Sequence, residues 1–135
     1  MDDMLIGRKI VAVVAVFAIG FPACERVAVA HNTPSSWRAA AISAGWPAKS
    51  WPRLRCVIAR ESAGNPRAVG DTGRAIGLTQ IRWDVHRSWL SKAGYTREAL
   101  MVGRHNLRAA RLLFDRSVRF TGDGWAPWRS RSKPC

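Results

Sequence analysis

Apolar residues follow two patterns along the chain. From Ile10 to Phe21 they run without a polar interruption, and Pro22 ends the run. Beyond residue 36 they recur at helical spacing instead. Trp51, Leu54, Val57 and Ile58 would share one helix face, with Ser50 as a cap and Pro52 tolerated in the first turn. A shorter helix is predicted from Trp37 to about Ala44, capped by Ser36 and closed by Gly45 and Pro47. Gly64-Asn65-Pro66 forbids continuation of the second helix, and Gly70, Asp71 and Gly73 mark a loop. Ala75 to Ile81 reads as an extended piece or a helix start. Helices are predicted again over Trp83–Leu90 and Arg97–Met101. Last comes a longer one carrying Leu107, Ala110, Leu113, Phe114 and Val118, with Asn106 as its cap. From Thr121 the chain is Gly-rich, Trp-containing and basic. The expected fold class is mainly α in a single small domain, with no internal repeat and no clear linker.

The first apolar run is too short to cross a membrane. As a helix it reaches about 18 Å at 1.5 Å per residue, against a bilayer core of roughly 30 Å. Arg8 and Lys9 precede it, and Ala28-Val29-Ala30 places small residues at the −3 and −1 positions of a cleavage site. This is the layout of a secretory signal peptide over residues 1–30. A lipid-modified Cys24 is the rival reading, although Phe21 and Pro22 fit a lipoprotein signal poorly. The remainder divides into a lead-in with a short helix over 31–49 and a domain with a C-terminal tail over 50–135.

Export changes what the composition means. The 135 residues carry 22 Lys and Arg against 9 Asp and Glu, a formal net charge of +13. Cleavage after Ala30 removes Asp2, Asp3 and Glu25 together with Arg8, Lys9 and Arg26, so the net charge is unchanged. A basic domain outside the cytoplasm meets anionic cell-wall polymers rather than nucleic acid. Of the three cysteines, Cys24 leaves with the leader. Cys56 and Cys135 remain as an even pair in an oxidising compartment, and a disulfide between them is expected.

Candidate chemistry centres on Glu61. It lies three residues beyond Ile58 and four beyond Val57, so it projects from the apolar face of its helix. A Glu at a helix end commonly turns into solvent. A carboxyl kept in apolar surroundings instead favours its protonated form and can serve as a general acid. Glu61-Ser62-Ala63-Gly64-Asn65-Pro66 is followed by Gly77-Leu78-Thr79-Gln80-Ile81, then by Asn106-Leu107 with Ala109-Ala110. Over about residues 50 to 128 this series resembles the lytic transglycosylase domain of the lysozyme-like superfamily, in its soluble-transglycosylase and goose-type branch.

That resemblance implies a mainly helical, α+β lysozyme-like domain with a cleft for peptidoglycan glycan strands. It makes Glu61 the single catalytic acid/base and places Ser62, Gly77, Leu78 and Gln80 near substrate. Gly77 would let the backbone approach a sugar, and Gln80 would hydrogen-bond a hydroxyl or N-acetyl group. Trp128 is a candidate sugar-stacking residue, set against a core plug formed with Trp125; Trp83 carries the same ambiguity. One part of the family pattern is missing. Many members carry an Ala-Tyr-Asn-Ala-Gly segment whose Tyr positions the acid, and this chain has none, so the residue supporting Glu61 is unassigned. The reaction implied is cleavage of the MurNAc–GlcNAc bond to a 1,6-anhydro end, without water.

Other chemistries find less in the sequence. His31, His86 and His105 are dispersed, without the His/Cys spacing of a zinc site, and no metal or cofactor is expected. No Gly-rich loop followed by Lys cradles a phosphate. A Cys56 nucleophile is disfavoured by its helical position and expected oxidation. Glycosidases commonly use a second carboxylate, and the candidates are Asp71, Asp84, Glu98, Asp115 and Asp123, of which Asp71 has the most suggestive position. The expected protein is a monomeric, secreted or cell-envelope enzyme. Two alternatives stay open: a hydrolytic muramidase of the same fold, and a cationic wall-binding or membrane-disrupting protein with no enzymatic role.

Overall fold

The computed structural model describes residues 32–135. The expected leader with Cys24, and His31, lie outside them. Helix α1, Arg38–Ser43, follows a 3-10 turn at Pro34–Trp37. Ser36 does not cap it; the Ser36 hydroxyl donates to Thr33 O within that turn, at 2.8 Å. Helix α2, Trp51–Ser62, forms over the predicted apolar spacing, with Pro52 in its first turn. Leu54, Val57 and Ile58 are buried, each worth about 1.5–3 kcal/mol against exposure. Ser50 caps α2 by no side-chain hydrogen bond, because a 3-10 turn at Ala48–Ser50 already leads into it. The helix stops at Ala63, whose φ of 52° is left-handed.

The segment left open between strand and helix is a small antiparallel sheet. Strands β1, Val69–Gly70, β2, Ala75–Ile76, and β3, Ile81–Arg82, lie in the order β1-β2-β3. Val69 pairs with Ile76 and Gly70 with Ala75; Ala75 pairs with Arg82 and Ile76 with Ile81. Gly77-Leu78-Thr79-Gln80 is therefore the hairpin loop joining β2 to β3, closed by Gln80 N–H to Gly77 O at 3.1 Å.

Helix α3, Trp83–Lys92, extends two residues beyond its expected end. The helix predicted over Arg97–Met101 is only a 3-10 turn, Ala99–Met101, because Val102 turns to extended backbone. Helix α4, Gly103–Thr121, is the longest and packs against α1 and against the turns at both of its ends. It starts earlier than expected, so Asn106 is not its cap but an inward-facing residue of its first turn. Its buried stripe runs Asn106, Leu107, Ala109, Ala110, Leu113 and Ser117. Val118, expected to join that stripe, is exposed in the last turn of the helix.

Three indoles tie distant segments onto this frame. Trp37 donates to Gly64 O at 2.9 Å, Trp46 to Leu107 O at 2.9 Å, and Trp128 to Thr79 O at 2.8 Å. Trp46, Phe114, Trp125 and Trp128 form one aromatic cluster, with centroids 5.1–6.5 Å apart. Beyond a last 3-10 turn at Ala126–Trp128, the tail returns to α2 and closes the expected Cys56–Cys135 disulfide, with Cα atoms 5.7 Å apart. Across 79 residues of chain such a link removes up to about 4.5 kcal/mol of unfolded-state entropy. Among the described residues no helix is long and apolar enough to cross a membrane.

Candidate active site

Glu61 stands on the last turn of α2, with its side chain 26% exposed. Sequence spacing predicts apolar surroundings for it, but its bonded neighbour is a guanidinium. Arg60, only 11% exposed, donates to Glu61 Oε1 from Nε at 2.9 Å and from Nη2 at 2.7 Å. Both bonds fall on the same oxygen. Among the described residues Oε2 takes no hydrogen bond or ion pair. Arg60 is itself held from the other side, by Nη2 to Trp128 O at 2.6 Å and Nη1 to Lys133 O at 2.8 Å. Arg60 is thus the side chain that bonds Glu61 among the described residues.

The structure brings the two motif segments together, in a way that reassigns several of their residues. Ser62 Oγ donates to Leu78 O at 2.8 Å, with Ile58 O 3.1 Å away, and accepts from Gly64 N–H. Its hydroxyl thereby fastens the end of α2 to the hairpin loop. Leu78 is wholly buried and its side chain is core, so it cannot line a substrate surface. Gly77 has φ +77°, and a Cβ there would lie 2.2 Å from Leu100 O and 2.3 Å from Asn106 Nδ2. The close approach that demands glycine is to the protein's own Asn106 rather than to a sugar. Gln80 is half-buried, and its amide nitrogen donates to Ala68 O at 3.1 Å and Gly77 O at 2.9 Å. Trp128 is 7% exposed and sits edge-on to Trp46 and Trp125, which makes it the core plug rather than an open stacking platform.

Asn106 carries more of this geometry than the sequence reading gave it. Fully buried, it accepts from Thr79 N–H at 3.0 Å and Thr79 Oγ1 at 2.7 Å, and donates to Ile76 O and Leu100 O, each at 2.9 Å. All four of its side-chain bonding directions are used. The hairpin loop is therefore locked from three sides, by Ser62 of α2, Asn106 of α4 and Trp128 of the tail. An Asn followed by an apolar helix stripe was the available signal, but it reads equally as a cap.

Of the other candidate carboxylates, Asp71, Asp84, Asp115 and Asp123 are engaged elsewhere, while exposed Glu98 takes no ion pair or side-chain hydrogen bond among the described residues. Asp71, in left-handed backbone at φ 50°, pairs with Arg74 and Arg82, each at 2.9 Å. Asp84 accepts from Arg82, whose hydrogen bond holds its carboxyl down at about 2. Asp123 pairs with Arg129, which pulls its carboxyl below the usual range. Asp115 pairs with Arg111 one helical turn away, at 2.8 Å. Trp83 lines an open groove of about 540 Å³ with Tyr95, Arg97 and Glu98. His86 Nδ1 accepts from the Trp89 indole at 3.2 Å. No group of His, Cys, Asp and Glu among the described residues has the arrangement of a metal site. Compared with family models, curated proteins and solved structures, the chain matches none.

Proposed function

We propose that this protein is a secreted or cell-envelope lytic transglycosylase of lysozyme-like type, acting on the glycan strands of peptidoglycan. The observation that carries the reading is the arrangement of Glu61. One carboxylate oxygen is fixed by Arg60, the other is open, and the helix end that bears it is fastened through Ser62 to the Gly77–Gln80 loop. In the proposed reaction, protonated Glu61 gives its proton to the glycosidic oxygen as the bond from the MurNAc anomeric carbon to that oxygen breaks. The carbonyl oxygen of the MurNAc N-acetyl group closes on the anomeric carbon. Glu61, now a carboxylate steadied by Arg60, takes the proton of the C6 hydroxyl. The C6 oxygen then displaces the acetamido oxygen and leaves a 1,6-anhydro end. One carboxylate suffices, which agrees with the engagement of Asp71, Asp84, Asp115 and Asp123 by arginines.

Mass spectrometry of fragments released from purified sacculi tests this directly. Wild type should release muropeptides ending in 1,6-anhydro-MurNAc, and Glu61→Gln should release at least about a hundredfold less while still folding and binding sacculi. Reducing ends at early times would move the assignment to a hydrolase. Asp71→Asn is the companion measurement; a loss matching that of Glu61→Gln would show that a second carboxylate takes part. Digestion by Glu61→Gln at the wild-type rate would sink the mechanism.

A further inference from the structure

The tail beyond Trp128 has little packing to hold it. Arg129, Arg131, Ser132, Lys133 and Pro134 are exposed, and a cavity of about 280 Å³ opens between this tail and Arg53 of α2. Yet the tail is attached at defined points. Arg53, Cys56 and Arg60 fall at i, i+3 and i+7, on one face of α2. Along that face Cys56 is bonded to Cys135, and Arg60 donates to Lys133 O and Trp128 O. The same Arg60 makes both bonds to Glu61 Oε1. Trp128, whose carbonyl receives Arg60, sends its indole N–H to Thr79 O in the hairpin loop. A guanidinium has five N–H donors in a rigid plane, so fixing its outer edge fixes the direction of its inner edge.

We infer that Arg60 is the positioning residue of Glu61, and that the tail closed by Cys56–Cys135 is what orients Arg60. The disulfide then acts on turnover as well as on stability, because opening it releases the Lys133 carbonyl from Arg60. Arg60 keeps the Trp128 carbonyl, so the carboxylate would be less well directed rather than lost. Misplacement of a reacting group by about 1 Å can cost a hundredfold in rate. The proposal rests on the glycan-cleaving reading of Glu61 for its effect on turnover, and on geometry alone for the linkage between tail, Arg60 and Glu61.

The test uses the full chain with two readouts. One is kcat and KM on soluble glycan strands for wild type, Arg60→Gln, Arg60→Lys and the Cys56→Ser/Cys135→Ser pair. The other is the NMR signal of the Arg60 Nε–Hε group, whose exchange with water reports its bond to Glu61 whether or not the protein turns over. Opening the disulfide should lower kcat roughly tenfold with KM within about twofold, and Arg60→Gln should lower kcat closer to a hundredfold. The Arg60 Nε–Hε signal should exchange slowly in wild type and lose that protection in the cysteine pair. Wild-type kcat in a folded cysteine pair, or unchanged protection of the signal, overturns the proposal. Should the cysteine pair fail to fold, Arg60→Lys decides, since it keeps the disulfide and the charge but not the fork: tenfold loss supports the inference, and wild-type turnover refutes it. Should wild type release no fragments at all, the reading of the site falls on its own. The proton signal, followed on reducing the disulfide of the wild-type protein, then still upholds or rejects the linkage.

Discussion

At the scale of single residues, the motif positions bond mainly to one another and to the surrounding fold. Asn106 shows why. Its carboxamide satisfies Thr79 N–H, Thr79 Oγ1, Ile76 O and Leu100 O inside a fully buried setting. Replacing it by Leu keeps the volume and strands those partners, each unsatisfied group costing about 1–3 kcal/mol. Asn106→Leu should therefore destabilise the domain by about 3–5 kcal/mol, read from the urea midpoint with an unchanged slope. A loss below about 1 kcal/mol would show that water or a shifted loop takes over its bonds. Leu78 and Gly77 make the same point without a free-energy figure. A spacing motif records which residue types recur together, but not whether a side chain points to a cleft or to the core. Leu78 proves to be core, and the open side of Gly77 faces Asn106. The contact that sequence could least supply was Arg60 to Glu61. Adjacent helical positions do not ordinarily face each other, and here a tail 68 residues away in sequence turns the guanidinium back onto its neighbour.

Elements were legible where their periodicity was long and illegible where a short segment depends on its neighbours. Helix α2 and the body of α4 follow their apolar spacing, because burial of one stripe dominates their energetics. The two-residue strands have no period to read, and they exist because Asn106 and the flanking loops hold the hairpin. The caps assigned to Ser36, Ser50 and Asn106 failed for a common reason: 3-10 turns or extended backbone already occupy those helix entrances. Helix α3 carries a pH-dependent contact of its own. Burial, then the neighbouring Arg116 of α4, lower the pKa of His86, with Asp84 opposing and Arg82 adding to the effect. Its Nδ1 accepts from Trp89 and can do so only when unprotonated. The unfolded chain binds the proton more readily, so this contribution is complete above roughly pH 6.5 and is lost as pH falls through the lowered folded value. Stability measured by denaturant should decline on going from about pH 7 to pH 5, and less steeply in His86→Gln. An identical slope in the variant would remove His86 from the account.

On the scale of the whole molecule, charge and covalent closure decide how the domain meets its surroundings. Glu61, Asp71, Asp84, Asp115 and Asp123 are each paired with an arginine. Their negative charge is neutralised locally, within pairs that also order loops and helix ends. The surplus behind the formal +13 is left on exposed side chains such as Arg55, Arg87, Arg104, Arg108 and Arg119. Arg104 and Arg108 stand on successive turns of α4, and Arg119 lies farther along the same helix. Surface charges of this kind act over a Debye length of about 8 Å at physiological salt and about 3 Å at 1 M. Retention on sacculi should therefore fall steeply as salt is raised, and fall further once anionic wall polymers are stripped. Changing Arg104, Arg108 and Arg119 together to Glu should produce the same loss at low salt while leaving the melting temperature near that of wild type, since none of the three is buried. Glycan cleavage on short soluble strands should persist in that variant, because Glu61, Arg60 and the hairpin loop are untouched. Retention that ignores both salt and the triple substitution would mean that contacts within the glycan-binding surface itself, rather than the field of the domain, hold it to the wall.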